Sequence, residues 1–277
     1  MSIKPIIIVA GEPNSIFFEI FFKSLKLKKF SSPLVLIASH NLLILQMEKL
    51  GYKKKIKLLN SKNLNSYKLN NKCINLIDVN YNSKKPFEKI SSKSNHYIEK
   101  SFSIAFNIMK EGLTDKFING PISKKYFLKN KYPGMTEFIS EKFSIKNNAM
   151  LIYNKKLSVS PVTTHLPIKE VSNKINKKVI LKKIFLINDF YKNKIGFKPK
   201  IGVLGLNPHC ESTSNFNEDE KIIKPVINHL KKLKFKVSGP YSADTIFLKN
   251  NRKKFDVILG MYHDQVLTPI KTLYEYD

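Results

Sequence analysis

Arginine is almost missing from this chain of 277 residues: a single one, Arg252, stands among forty-eight lysines. A nucleic-acid reader clusters its basic residues and uses the arginine fork for bidentate contacts to bases and phosphates. Here the lysines are scattered through nearly every segment beside Asn, Ile and Phe. The formal charge of +28 therefore reads as a compositional bias toward those residues, and no nucleic-acid partner is expected. The charge should still draw anionic metabolites to any cleft. Cysteine is scarce too. Cys73 and Cys210 make neither a disulfide framework nor a Cys-x-x-Cys site, which suits a reducing cytoplasm. There is no Gly-x-Gly-x-x-Gly fingerprint and no Gly-Lys-Ser/Thr phosphate loop, so the turn at Gly11 is only a weak phosphate-loop candidate. Long apolar runs are absent: Glu19, Lys23 and Lys26 interrupt residues 16–27, and residues 6–10 carry no cleavage pattern. A cytoplasmic protein with no membrane partner is expected.

What is present builds a core. Hydrophobic residues make up 42% of the chain, which excludes a disordered protein. The length suits one large α/β domain or two lobes with a cleft between them. Apolar runs bounded by turn residues predict strands over 5–10, 34–38, 117–120, 149–153, 157–162, 201–206, 235–238 and 255–261. Helical patterns fall over 15–28, 41–50, 98–111, 123–129, 166–191, 218–233 and near 244–248. The segment 149–153 pairs with 157–162 as a hairpin, and the Lys-, Asn- and Ser-rich stretch 53–94 predicts edge strands and long loops. Alternating strands and helices predict an α/β fold with a largely parallel sheet.

Three histidines stand just past such strands. His165 follows 157–162, His209 follows 201–206 and His263 follows 257–261. Ligands of α/β sheets sit beyond the carboxyl ends of the strands. Three imidazoles delivered to that edge can converge on one divalent metal and leave a position open for substrate. A lone histidine beside a strand is usually structural; the repetition is what points to a shared site. Lys124, after the turn at Gly120-Pro121, is placed near the same kind of edge, and Thr136 reads as a helix cap. His40, His96 and His229 have no partners in the pattern.

Five stretches, in order, carry a resemblance across nearly the whole chain: Gly134-Met-Thr-Glu-Phe138, Val162-Thr-Thr-His-Leu-Pro167, Gly205-Leu-Asn-Pro-His209, Gly239-Pro-Tyr-Ser-Ala-Asp-Thr245 and Met261-Tyr-His-Asp-Gln265. They resemble the 4-hydroxythreonine-4-phosphate dehydrogenases, NAD-dependent enzymes of vitamin B6 synthesis. The resemblance implies oxidation and decarboxylation of 4-phosphohydroxy-L-threonine to 3-amino-2-oxopropyl phosphate in pyridoxal phosphate biosynthesis. It implies a divalent metal (zinc, magnesium or cobalt) on His165, His209 and His263, and substrate contacts from Thr136 and Lys271. Asp244 and Asp264 become candidates for orienting the histidines or for proton transfer, against the alternative of structural carboxylates. The implied fold is two-lobed and similar to isocitrate and isopropylmalate dehydrogenases. One lobe would comprise residues 1–128 plus 266–277, the other residues 129–265 with the metal site and the interface of a homodimer whose active sites use both subunits.

The chain departs from the family's pattern in places. Met135 stands where the family usually has His, which leaves open a related dehydrogenase of phosphothreonate or phosphoerythronate. Ser15, Phe17 and Phe18 replace the glycines of the first loop, though Gly11, Pro13 and Glu19 remain. Ser214, Asn215 and Asn217 replace those after His209. The chain ends at Asp277, six residues past Lys271, where the family continues with a substrate Asn and Arg and an Asp-His-Gly segment. That predicts a first lobe incomplete at its C-terminus and little or no turnover, with metal and phosphate binding retained, or a non-catalytic binding copy.

Overall fold

The computed structural model describes residues 3–129, 131–132, 134–212 and 216–275. Ser214, Asn215 and the last two residues of the tail lie outside them. The chain forms two compact units, Met1–Phe143 and Ser144–Asp277. Among the described residues no helix is long and apolar enough to cross a membrane.

In the first unit β1 (Ile6–Val9), β2 (Leu34–Ala38), β3 (Ile56–Leu58), β4 (Ile74–Asp78) and β5 (Phe117–Asn119) form a parallel sheet in the order β3-β4-β2-β1-β5. Parallel strands in such a sheet are covered on both faces, which is why they read as unbroken apolar runs. Ile8, Leu36 and Leu76 face α1 (Phe17–Leu27) and α2 (His40–Lys49); Ile7, Val9, Val35, Ile37 and Ile77 face α3 (Asn95–Lys110). Phe17, Phe18, Phe21 and Phe22 recur at the spacing of one helix face and bury it. Ser39 caps α2, its hydroxyl oxygen accepting from the Leu42 N–H at 3.4 Å.

β4 is an inner strand, not the edge strand that its polar surroundings predict. Asn75, polar in an apolar run, is buried because its amide donates to the Leu34 and Asn70 carbonyls at 2.9 and 2.8 Å. The Gly11 turn is closed. Glu12 N–H donates to the Pro121 carbonyl at 2.8 Å, and a Cβ on Gly120 would run into the Ala10 carbonyl oxygen. With that N–H spent, and the buried Glu12 carboxylate accepting from Ser94 Oγ at 2.8 Å, the turn is no phosphate cradle.

α4 (Met135–Lys142) belongs to this first unit, whereas the resemblance places residues 129–143 in the second. The reason is aromatic packing. Phe138 sits edge-on to Phe102, Phe127 and Tyr132 at centroid distances of 5.5, 5.5 and 5.4 Å.

The second unit has β6 (Ser158–Pro161), β7 (Ile201–Leu204), β8 (Val237–Tyr241) and β9 (Val257–Gly260), again all parallel, in the order β6-β9-β7-β8. α5 (Val171–Lys174) leads into α6 (Lys177–Phe190); α7 (Lys224–Lys232) follows β7; α8 (Ala243–Ile246) and α9 (Lys249–Arg252) follow β8; α10 (His263–Tyr274) follows β9. α6 and α7 cover one face through Ile180, Ile184, Ile187, Val226 and Leu230, and α8 and α10 the other through Ile246, Val266, Leu267 and Ile270. The sequence predicts one helix over 166–191; it breaks at Asn176, whose side chain accepts from the Val179 N–H at 3.0 Å and caps α6 afresh. The expected hairpin is a single antiparallel bridge, Ile152 to Val159, on the edge of β6 that β9 leaves open. Residues 266–275 pack in this unit, where the resemblance puts them in the first lobe: Val266 and Ile270 are buried against Leu157 and Val159.

Phe138→Ala should lower stability by about 3–5 kcal/mol in urea unfolding, the range for emptying a buried aromatic site. Leu27→Ala, at a position 84% exposed, should change it by less than about 0.5 kcal/mol.

Candidate active site at the carboxyl edge of the second sheet

β9 lies between β6 and β7, so the turns that follow these three strands are neighbours at one sheet edge. Each carries one of the three histidines. The β6–β9 ladder continues past the strand ends: Val162 N–H donates to the Gly260 carbonyl at 2.8 Å, and Thr163 donates to the Met261 carbonyl from both N–H (3.1 Å) and Oγ1 (2.8 Å). This brings His165 and His263 side by side, with ring centroids 6.2 Å apart and planes inclined by 38°.

His263 is the first residue of α10. Its Nδ1 lies 2.7 Å from an oxygen of Asp264, which is itself 79% exposed. A carboxylate at Nδ1 favours the tautomer protonated there and leaves the Nε2 lone pair for an ion.

His209 is held differently. Gly205 to Asn207 wrap around the fully buried Asp219, whose carboxylate accepts from Leu206 N–H at 2.7 Å and from Asn207 N–H and Nδ2 at 3.1 and 3.0 Å. Gly205 is required there, since a Cβ would lie 2.6 Å from Asp219 Oδ1. The turn then passes through left-handed backbone at His209 (φ 54°) and Cys210 (φ 63°). Burial and the nearby Asp219 charge push the Cys210 thiol up, so it is no ready thiolate. His209 opens onto a cavity of about 250 Å³ shared with Asn207, Ser242, Asp244, Tyr262 and Gln265. Asp244 is exposed, and its carboxyl is held below the usual range by the Ser242 hydroxyl and, less, by His209.

The donor set suits a divalent transition ion, and the His165 and His263 rings are neighbours at this edge. Among the described residues, however, no three His, Cys, Asp or Glu side chains are close enough together to hold a metal. His209 reaches the same edge without joining the pair within this chain.

The other expected residues are dispersed. Lys271 is exposed on α10, in the same unit as the histidines. Thr136 is the second residue of α4 in the first unit; the cap position is Gly134, so Thr136 is not the cap. Met135 packs against the aromatic core of the first unit. Lys124 is exposed at the turn after β5, whose cap is Ser123. Sequence reasoning overlooked Asp219 and Gln265. Asp219 is hidden in an acidic run that resembles any exposed helix start, and Gln265, though the last residue of a motif, offers no chemistry by itself.

Comparison with known proteins agrees over nearly the full chain. The family described as "Pyridoxal phosphate biosynthetic protein PdxA" matches residues 29–277. A 4-hydroxythreonine-4-phosphate dehydrogenase from Sulfurihydrogenibium sp. (strain YO3AOP1) is 36% identical over 271 residues, covering 96% of this chain and 82% of that protein. A protein of Oceanobacillus iheyensis with a provisional name, D-threonate 4-phosphate dehydrogenase, is 33% identical over 192 residues, 68% of this chain and 58% of that one. The crystal structure of a 4-hydroxythreonine-4-phosphate dehydrogenase from Burkholderia phymatum superposes with a TM-score of 0.82 at 27% identity, covering 98% of this chain and 84% of that one.

Asp219→Ala leaves buried N–H groups of Leu206 and Asn207 without acceptors, and should cost about 2–5 kcal/mol in urea unfolding. In an NMR titration the Asp244 carboxyl should show its midpoint below that of an ordinary aspartate, and Ser242→Ala should raise it. The sign follows from the depressed value: any stabilisation by ionised Asp244 is present above the unfolded-state pKa and is lost as pH falls through the folded one.

Proposed function

We propose that this chain, which belongs to the PdxA family of pyridoxal phosphate biosynthetic proteins, carries out the NAD-dependent oxidation and decarboxylation of 4-phosphohydroxy-L-threonine to 3-amino-2-oxopropyl phosphate. The observation that carries the reading is the pairing of His165 with His263 at the sheet edge, with the His209 turn beside them. The secondary alcohol loses its proton and a hydride, the hydride reducing NAD. The resulting β-keto acid then loses CO2, and the electron pair of the broken C–C bond is taken up by a proton. A divalent ion, when bound, supplies Lewis acidity that lowers the hydroxyl pKa and stabilises negative charge on the same oxygen.

The chain's own residues supply placement and proton handling. His165, His209 and His263 are the proposed ligands. Asp264 fixes the ring of His263 through Nδ1. Asp244, which lines the His209 cavity, is the proposed candidate for proton transfer or for orienting that histidine. Lys271 and Thr136 are the proposed substrate contacts, an assignment that rests on the family's motifs. A homodimer is part of the proposal, and it too rests on the family's motifs. Met135, an apolar side chain where the family usually has His, favours a second reading in which the substrate is a phosphothreonate or phosphoerythronate, as does the Oceanobacillus relative.

Calorimetry with Zn2+ present should show binding of 4-phosphohydroxy-L-threonine that depends on the ion. His165→Ala or His263→Ala should weaken it by more than about a hundredfold. NADH formation with that substrate and with phosphothreonate decides between the two readings by their ratio. Ion-independent binding, or variants that bind like the wild type, would overturn the proposal.

A further inference from the structure

Gln265 joins two turns that are sixty residues apart in sequence. It is the third residue of α10 and is buried. Its Oε1 accepts from Met261 N–H at 2.7 Å, and its Nε2 donates to the Gly205 carbonyl at 2.8 Å. Met261 begins the turn that carries His263, and Gly205 begins the turn that carries His209. The Met261 carbonyl also receives both hydrogen bonds from Thr163, two residues before His165. The Gln265 amide therefore ties the His263 and His209 turns together, and Thr163 ties the His165 turn to the same Met261.

Helix capping explains half of this. A Gln at the third position of a helix commonly reaches back to the N–H of the N-cap residue, here Tyr262, and Gln265 makes the same kind of reach one residue further, to Met261. Capping gives no reason for the other half, the donor directed at Gly205 on a different strand. Only a primary amide offers a donor and an acceptor together at this length without charge. The fit is close: a Cβ on Gly260 would come within 3.0 Å of Oε1.

We infer that Gln265 is a positioning residue for the ion site, setting the spacing of the His209 turn from the His263 turn. The inference rests on the three-histidine reading proposed above. Without the amide, the pairing of β7 with β9 still holds the strands together, but this link between the turns beyond their ends is lost. A shift of a few tenths of an ångström at each ligand is paid in ion affinity, which falls about 10- to 100-fold when residues supporting metal ligands are lost.

The test is a titration of the full-length protein with Co2+ alone, read by visible absorption, together with thermal unfolding. Gln265→Met removes both hydrogen bonds at similar volume and should weaken Co2+ binding about 10- to 100-fold. Asn176→Ala, which removes the α6 cap in the same unit, serves as a control and should lower the Tm with Co2+ affinity unchanged. His263→Ala tests the underlying reading: if it binds Co2+ like the wild type, the three-histidine site itself is wrong. If His263→Ala loses Co2+ while Gln265→Met binds as tightly as Asn176→Ala, only the positioning role fails. Should Gln265→Met not fold, Gln265→Glu keeps the acceptor for Met261 and loses the donor to Gly205. It should also bind Co2+ more weakly, despite its added negative charge, and unchanged or tighter binding would reduce Gln265 to a helix cap.

Discussion

The parallel pairing of β9 with both β6 and β7 is the constraint on which the rest of the site depends. Parallel strands all end at the same sheet edge, so three strands in contact deliver three turns to one place. The strands spend their side chains on two apolar layers and leave only the residues after them free for chemistry. His165, His209 and His263 are those residues. Their closeness follows from backbone hydrogen bonds buried in the sheet, and no direct contact among the three rings is needed to bring the turns together.

Strand ends alone would leave such turns loose. Two buried polar groups tighten this edge. Asp219 gathers the N–H groups of the Gly205–Asn207 turn onto one carboxylate, and Gln265 joins that turn to Met261. Both are expensive to bury unless fully hydrogen-bonded, and both are. In a chain so rich in lysine, neither Asp219 nor the buried Glu12 forms a salt bridge among the described residues. Each receives N–H or O–H donors from turns and side chains, so the charge excess stays on the surface and the interior acids serve the backbone.

Much of this was legible in the sequence. The strands of both units were marked by short runs of Val, Ile and Leu, and the histidines by their position just beyond three of them. The inner place of β4 was not legible, because its Lys-, Asn- and Ser-rich surroundings suit an edge strand and only pairing shows where the Asn75 amide finds acceptors. Nor was the break at Asn176, since apolar spacing continues across it. The cores that α4 and α10 join were not legible for a related reason. Phe138 and Val266 are apolar residues on amphipathic helices, and nothing in such a helix says which core it will join.

The sequence by itself determined the element types, the parallel α/β class and the residues that end up on the carboxyl edges, because hydrophobic period and strand-to-helix alternation are local properties. Tertiary structure decided which strands are neighbours, to which unit α4 and α10 belong, and that Asp219 and Gln265 hold the histidine turns. Those outcomes come from pairings between separate segments, some as far apart as Gln265 with Gly205 and β6 with β9. Their energy exists only once distant backbone groups have met and excluded water, so no stretch of the sequence carries them alone.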